Sequence, residues 1–293
     1  MERKTNSLVM SDVSSTKIQN MLTPEYERFD EPNSLQGETL VRRGTVDMYE
    51  NRSSIRLTPH LHVIKIGGHG VIDYGSKVVL PVVEEIGELS RKYQILIVTG
   101  GGVRTRHVLD IGLDLGMPTG VLAELSAKTS DQNATMLSIL LSRWQGEKIA
   151  SDELLDLPKK VHLGILPVMP GTPPYGLLEY SGKGYEIPVH RTDTGALLAA
   201  EVVGAQSCIL GKNVDGMYTK NPTKYPDAEF IPEISASELL AMNMEDLGVE
   251  PKMLELMVHA QHLKAVYVVN AHKPGRITAA VEGKPIGTII WCR

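Results

Sequence analysis

From residue 60 to the end of the chain, short apolar runs alternate with longer stretches in which apolar residues recur every three or four positions. The runs predict buried strands, and the longer stretches predict amphipathic helices. Strands are predicted at 61–66, 95–99, 207–211, 266–270 and 288–291, with a weaker candidate at 161–168; helices are predicted at 76–90, from Thr192 or Asp193 to Gly204, and at 252–264. β-branched strands that alternate with helices are typical of a mostly parallel sheet with helices on both faces. The pattern therefore predicts an α/β fold.

Two of these helix predictions depend on single residues. Pro81 fits the helix at 76–90 if it lies in the first turn, where its missing N–H has no intrahelical partner to lose. Asp131 is a candidate N-cap for a further helix, which would place Leu137, Leu140, Leu141 and Trp144 on one face.

Composition changes near residue 57. Residues 1–56 are polar and contain few apolar pairs, so they cannot bury enough surface to fold alone. We interpret them as an N-terminal arm, either disordered or ordered against a partner subunit. The cluster of Met10, Ile18, Met21 and Leu22 favours the ordered arm. Residues 57–293 are predicted to form the folded domain.

Charge, cysteines and hydropathy exclude several classes of protein. The net charge is −5 and no Lys/Arg tract occurs, which argues against a nucleic-acid partner. The two cysteines, Cys208 and Cys292, are far apart and are read as reduced thiols. No apolar run approaches the roughly 18–20 residues that span a bilayer, and the N-terminus lacks the hydrophobic core of a signal peptide. We therefore expect a cytoplasmic protein without a membrane partner.

A lysine lies inside the first apolar run, which ends in two glycines. Lys65 is surrounded by Val and Ile, where an ammonium is unfavourable unless it reaches an anion. Gly67 and Gly68 would let a phosphate approach the backbone N–H groups. The alternative is a lysine that extends from an edge strand into water.

A second glycine cluster follows the run at 95–99. Gly100, Gly101 and Gly102 precede Arg104 and Arg106, an arrangement that suits an anion site at the start of a helix. A plain tight turn with solvent-facing arginines remains the alternative. Neither glycine cluster is a Walker A loop or a dinucleotide fingerprint.

Two further segments carry polar residues at predicted strand or helix ends. Asp193, within Arg191-Thr192-Asp193-Thr194-Gly195, is either an N-cap or a residue that orients a lysine or binds Mg²⁺ beside phosphates. Residues 211–222, with Asp-Gly and Asn-Pro turn signals, are by themselves typical of a surface loop after a strand.

In order and spacing, these four segments resemble the amino acid kinase family, which includes uridylate, acetylglutamate and aspartate kinases. The resemblance runs from about residue 61 to 291, and its most specific elements are the K-x-G-G strand end and the downstream V-D-G-x-Y-T-x-[DN]-P. Within the family it is strongest with the molybdenum storage protein subunits, through TGGGVRTRH, SDQNATML, IPVHRTDTGALLA and the C-terminal AQHLKAVYVVNAHKPGRITAAVEGKPIGTII. The resemblance implies a three-layer α/β sandwich with a mostly parallel central sheet.

The resemblance also implies roles for the matching residues. Lys65 would contact the terminal phosphates of ATP, and Asp193 would organise lysine and Mg²⁺; these two are the catalytic candidates. The nucleotide-binding candidates are Lys65, Gly67, Gly68, Lys212, Asp215, Tyr218, Asn221 and Pro222. The candidates for binding a phosphoryl acceptor or an oxoanion are Gly101, Gly102, Arg106 and Asp131, together with His162 and His190.

Two departures from the family pattern bear on function. The related kinases have a lysine directly before V-D-G, whereas this chain has Asn213 there and Lys212 one position earlier, which favours a slow ATPase or an ATP binder over a phosphotransferase. One type of storage subunit has a histidine run after its PPY, whereas this chain continues with residues 176–179, GLLE.

His259 and His262 fit ordinary helix packing better than a metal site.

Three functions follow from the resemblance, in order of preference. The first is an ATP-binding storage-type protein that uses Mg-ATP hydrolysis to accumulate oxomolybdate, with molybdate or tungstate as cargo, in a homo- or hetero-oligomeric cage such as a hexamer. The second is a small-molecule kinase that acts on UMP or on a carboxylate or phosphate acceptor. The third is a non-catalytic nucleotide-binding regulatory protein.

Overall fold

The computed structural model describes residues 54–171, 176–179, 187–222, 224–244 and 247–292. Almost all of the predicted N-terminal arm, and the PPY segment at 173–175, lie outside the described residues. The extent of the arm and its role therefore stay predictions.

Eight strands form one sheet at the centre of the domain, and two more form a small hairpin. The strands of the sheet are β1 (Leu61–Ile66), β2 (Gln94–Thr99), β3 (Gly146–Lys148), β4 (Leu166–Pro170), β5 (Ser207–Lys212), β8 (Glu233–Ser235), β9 (Ala265–Asn270) and β10 (Thr288–Trp291), and the hairpin is β6 (Met217–Tyr218) with β7 (Phe230–Ile231). The order in the sheet is β3-β4-β2-β1-β5-β9-β10-β8. Every neighbouring pair is parallel except β9 and β10.

Helices connect these strands. They are α1 (Ser76–Ser90), α2 (Val103–Asp114), α3 (Thr119–Leu140), α4 (Leu157–His162), α5 (Thr192–Val202), α6 (Ala236–Ala241), α7 (Pro251–Met257) and α8 (Arg276–Val281). None of the helices in the described ranges combines the length and the apolar character that a membrane span requires.

Two hydrophobic clusters lie on opposite faces of the sheet. One includes Ile64 and Ile97 with the apolar side of α1 and α8, and the other includes Val63 and Leu210 with α5, α6 and α7. Alternate residues of β1 enter different clusters because successive side chains of a strand point to opposite faces. Each fully buried Val, Leu or Ile contributes about 1.5–3 kcal/mol relative to the exposed side chain. The predicted α/β sandwich with three layers and a mostly parallel sheet is confirmed.

The predictions for α1, β1, β2, β5, α5, β9 and β10 are confirmed to within about two residues. Pro81, however, lies beyond the first turn of α1, where it removes an internal hydrogen bond and stays exposed on the solvent side. The strand predicted at 161–168 was wrong in its first half: α4 occupies 157–162, and β4 begins only at Leu166.

The prediction that Asp131 caps a helix was wrong. Asp131 lies within α3, which starts at Thr119 directly after Pro118. The stripe of α3 that faces the sheet includes the polar residues Thr129, Ser130 and Asn133, so apolar periodicity does not reveal the first half of the helix.

The helix predicted at 252–264 ends early, at Met257. The reason is a competing acceptor: the carboxylate of Glu201 takes the backbone N–H groups of Gln261, His262 and Leu263 at 2.6, 2.8 and 3.0 Å. Those groups are therefore unavailable for helical hydrogen bonds.

Candidate functional site

A cavity of about 620 Å³ lies where β1, β2 and β5 end. Its wall is formed by the loops after these strands, the N-terminal turn of α5 and the segment 247–250. This position is the usual one for ligands in parallel α/β sheets. The cavity brings together most of the residues that the sequence nominated: Lys65, Gly67, Gly68, Gly101, Gly102, Arg106, His190, Asp193, Lys212 and Asn221.

Two lysines share one buried carboxylate at the floor of the cavity. Lys65 belongs to β1, Lys212 ends the adjacent strand β5, and Asp193 lies in the first turn of α5. Lys65 Nζ lies 2.8 Å from Asp193 Oδ1, and Lys212 Nζ lies 2.6 Å from Asp193 Oδ2. Lys65 is therefore a buried lysine with a fixed partner, and the alternative of a lysine extended into water does not hold.

The charges in this group perturb one another. Burial by itself would raise the pKa of the Asp193 carboxyl, but the ammonium groups of Lys212 and Lys65 outweigh it and hold that pKa well below its usual range. Burial lowers the pKa of Lys212, and Lys65 adds to this effect, whereas Asp193 and Glu250 oppose it. The result is an ionised carboxylate flanked by two ammonium groups at the buried floor of the cavity.

The glycine loops that follow β1 and β2 pack directly against each other at the carboxyl ends of these strands. A β-carbon on Gly68 would overlap the backbone of Gly102, so only glycine fits there. Within the described residues, the backbone N–H groups of Gly67 and Gly68 donate no hydrogen bond, and both residues line the cavity. These two N–H donors and the nearby ammonium group of Lys65 can bind a phosphate or another oxoanion.

Cations outnumber carboxylates along this cavity. Arg106 and Arg191 line it, and neither guanidinium has a partner among the described residues. Among the described residues that line the cavity, these two arginines and the two lysines, Lys65 and Lys212, are accompanied by two carboxylates, Asp193 and Glu250. The cavity is therefore suited to a polyanionic ligand.

Four lining or capping residues were missed by the sequence analysis. Glu250 binds the first turn of α5, Asp73 Oδ2 accepts the N–H of Val103 at the start of α2 from 2.7 Å, and His69 and Arg191 line the cavity. Asp73 and Glu250 lie far along the chain from the helices they cap, so no local motif marks them. Arg191 was within a quoted motif but received no role.

Five nominated residues lie outside this cavity. Asp215 and Tyr218 line a second cavity of about 580 Å³ beside the β6–β7 hairpin, and Pro222 is exposed. Asp131 pairs with Lys148 at 2.7 Å on the outside of α3, and His162 is exposed at the end of α4. The structure does not bring these five into contact with the lysine pair.

His190 has a buried acidic neighbour. Its Nδ1 lies 2.7 Å from Glu179 Oε1, and both side chains are almost fully buried. The ring of His190 is thus held at the cavity wall by a carboxylate.

Magnesium does not fit as a direct ligand of Asp193. Both of its carboxylate oxygens are in ion pairs with ammonium groups, so a metal ion would have to displace a lysine. The described residues contain no group of three or more His, Cys, Asp or Glu side chains that could hold a metal ion. His262, for which the sequence favoured ordinary packing over a metal site, bonds through Nδ1 to the carbonyl oxygen of Glu201 at 2.7 Å.

The shifted lysine before V-D-G still reaches the site. Lys212 supplies an ammonium to Asp193, while Asn213 donates from Nδ2 to the hydroxyl of Tyr74 at 3.4 Å. Asn213 at the position before V-D-G therefore counts less against phosphoryl transfer than the sequence suggested.

Comparison with known proteins agrees with this geometry. Residues 61–270 match the Amino acid kinase family. The chain belongs to this family. It is 41% identical over 238 residues to the molybdenum storage protein subunit beta of Azotobacter vinelandii, covering 81% of this chain and 88% of that protein. It is 32% identical over 228 residues to the uridylate kinase of Methanocaldococcus jannaschii, covering 73% and 91%.

Solved structures of uridylate (UMP) kinases share the fold. The uridylate kinase from Archaeoglobus fulgidus superposes with a TM-score of 0.64 at 22% identity, covering 78% of this chain and 99% of that one. The UMP kinase from Bacillus anthracis gives a TM-score of 0.63 at 18% identity, covering 80% and 97%. At these identities the likeness concerns the fold of this amino acid kinase family member and not its substrate.

Proposed function

We propose that this amino acid kinase family member is an ATP-binding, molybdenum- or tungsten-storage-type protein. In this proposal, hydrolysis of ATP at the lysine pair drives the accumulation of oxomolybdate or oxotungstate in an oligomeric cage. The observation that carries the proposal is the cavity lined by Lys65, Lys212, two arginines and two glycines, in which these arginines and the glycine N–H groups have no partner among the described residues. The 41% identity to a molybdenum storage protein subunit supports oxoanions as the cargo.

Different groups in the cavity would have different roles in this reaction. Lys65 and Lys212 would neutralise charge on the terminal phosphates, and Gly67 and Gly68 would orient a phosphate through backbone N–H groups. Such a reaction depends mainly on positioning and on charge stabilisation, which this arrangement supplies without a covalent intermediate. Arg106, Arg191 and His190 would contact the oxoanion at the other wall of the cavity.

The test is retention of metal after desalting. Purified full-length protein is incubated with Mg-ATP and molybdate, or with Mg-ATP and tungstate, then desalted and analysed by elemental mass spectrometry and by size. We expect many metal atoms per chain only when ATP is present, in an oligomer such as a hexamer, and little metal in Lys65→Ala. Absence of retained metal with either oxoanion would exclude storage.

A small-molecule kinase is the second candidate, and a specific observation favours it. Gly101, Gly102 and Arg106, which the family resemblance assigns to a phosphoryl acceptor, line the same cavity as the lysine pair. The identity to a uridylate kinase is in line with this reading. ADP release that depends on UMP or on a carboxylate or phosphate acceptor would establish it, and a flat acceptor panel would remove it.

A further inference from the structure

The N-terminal turn of α5 is held by a carboxylate from a distant part of the chain. Glu250 Oε1 accepts the N–H of Asp193 at 2.9 Å, and Oε2 accepts the N–H and the hydroxyl of Thr194 at 2.9 and 2.7 Å. The residue at the N-cap position, Arg191, makes no side-chain capping bond of its own. Glu250 thus satisfies backbone donors that would otherwise be left without a partner at the helix start.

These three bonds act on the residue that organises the lysines. Glu250 is only 7% exposed and lies in the cavity wall, so its charge is little screened by water. It holds the backbone of Asp193, while the side chain of Asp193 holds Lys65 and Lys212. Asp193 therefore cannot shift along the cavity without breaking a bond to Glu250.

We propose that Glu250 is a positioning residue for the anion site: it fixes the first turn of α5 so that Asp193 keeps both ammonium groups aimed at the terminal phosphates of the ligand. This inference rests on the proposed binding of ATP. It extends that proposal by assigning a role to a residue that touches neither lysine. The carboxylate of Glu250 occupies the N–H groups at the N-terminal end of α5, so a phosphate cannot bind there. The phosphates of the ligand therefore bind at the lysines and the glycine loops.

The chain contains a matched control for this role. Glu85, on α1, caps α8 with the same set of donors: the N–H of Gly275 at 3.0 Å, the N–H of Thr278 at 2.8 Å and the hydroxyl of Thr278 at 2.8 Å. It does not line the cavity. Glu85→Gln and Glu250→Gln therefore each remove a helix cap with the same kinds of donor; Glu85 is half-buried and Glu250 buried, and only Glu250 lies beside the lysine pair.

The first measurement is the Kd for ATP of the full chain by calorimetry. We expect Glu250→Gln to raise it about tenfold, because a buried donor of the first turn loses its acceptor and Asp193 is released. Glu85→Gln should stay within about twofold of the wild type. Glu250→Asp keeps the charge and should recover part of the affinity, and it replaces Glu250→Gln if that variant does not fold.

The second measurement needs no nucleotide. Lys212 faces Asp193, Lys65 and Glu250, and the charge of Glu250 favours its protonated form. Competitive acetylation at mildly alkaline pH should therefore label Lys212 faster in Glu250→Gln than in the wild type or Glu85→Gln. Either equal Kd values or equal labelling of Lys212 in the two glutamine variants would overturn the role of Glu250. A wild type that binds no ATP would instead refute the proposed function, and the labelling result would still decide the role of Glu250.

Discussion

Lys212 donates a 2.6 Å hydrogen bond to Asp193 across the gap between β5 and α5, although 19 positions separate the two residues in the sequence. The same carboxylate pairs with Lys65, so one buried acid is shared by two ammonium groups and leaves one net positive charge. Asp193 thus holds both lysines in place at the cavity floor.

Replacing Asp193 by Asn should destabilise the domain strongly. Two ammonium groups would be left buried without an anion, and breaking a buried ion pair in this way costs about 3–5 kcal/mol. The free energy of unfolding from denaturant titration measures the loss. Asp131→Asn is the control, since it breaks a partly exposed pair with Lys148 that is worth about 1 kcal/mol or less. Similar losses in both variants would contradict the assigned importance of Asp193.

Binding of ATP should weaken at alkaline pH earlier than an ordinary lysine would allow. Burial lowers the pKa of Lys212, so this ammonium loses its proton, and its attraction for phosphate, below the usual value of about 10.4. Calorimetric Kd values between pH 7 and 10 should rise toward the alkaline end in the wild type. Lys212→Arg keeps its charge over this range and should show a flatter profile. An unchanged profile in the arginine variant would assign the titration to another group.

Replacing Gly68 by Ala should reduce both stability and ATP binding. The added methyl would overlap the backbone of Gly102, and overpacking of this kind costs about 1–3 kcal/mol. Gly70→Ala, in the same loop, is the matched control, because its β-carbon would lie 3.5 Å from the nearest atom, the backbone nitrogen of Asn213. Thermal unfolding and the Kd for ATP should distinguish the two variants, and equal behaviour would argue against the close packing of the glycine loops.

The domain should lose stability on mild acidification because of His62. This residue is buried at the start of β1, where Nδ1 lies 2.9 Å from Ser207 Oγ, and burial lowers its pKa below 6.5. Its folded-state pKa is depressed, so the unfolded chain binds the proton more readily. The free energy of unfolding then falls as the pH drops through about 6.5 toward the folded-state pKa.

His62→Asn removes this titration. The difference in Tm between pH 7.5 and pH 5.5 should therefore be smaller in this variant than in the wild type. His162→Asn, at an exposed position, should retain the wild-type difference. The same acid sensitivity in all three proteins would show that other groups cause it.

The fold was largely predictable because its central strands are buried on both faces. β1, β2, β5 and β9 consist mainly of apolar residues, and the glycines that follow the first two predicted the position of the cavity. The first half of α3 was not predictable in this way, because the buried side of this helix is polar. Thr99 Oγ1 donates to the carbonyl oxygen of Ser130 at 2.8 Å, and Ser130 Oγ donates to the carbonyl oxygen of Thr99 at 2.6 Å.

The site was predictable where the family pattern is local and unpredictable where it depends on distant contacts. Lys65, Gly67, Gly68 and Asp193 each stand in a recognisable motif. Glu250 reaches Thr194 across 56 positions, and Asp73 reaches Val103 across 30, with no motif for either. Such pairs are fixed by the packing of loops, which hydrophobic periodicity does not encode.

The parallel register of β1 and β5 limits how this chain can vary in length. Lys65 lies opposite Leu210, and Lys212 follows two residues later, where it reaches Asp193. Inserting or deleting one residue between Ser207 and Lys212 would turn the lysine toward the opposite face of the sheet. Asp193 would then keep only one of its two cations. Related sequences that retain this pair of lysines should therefore tolerate substitutions within β5 far better than a single-residue insertion or deletion.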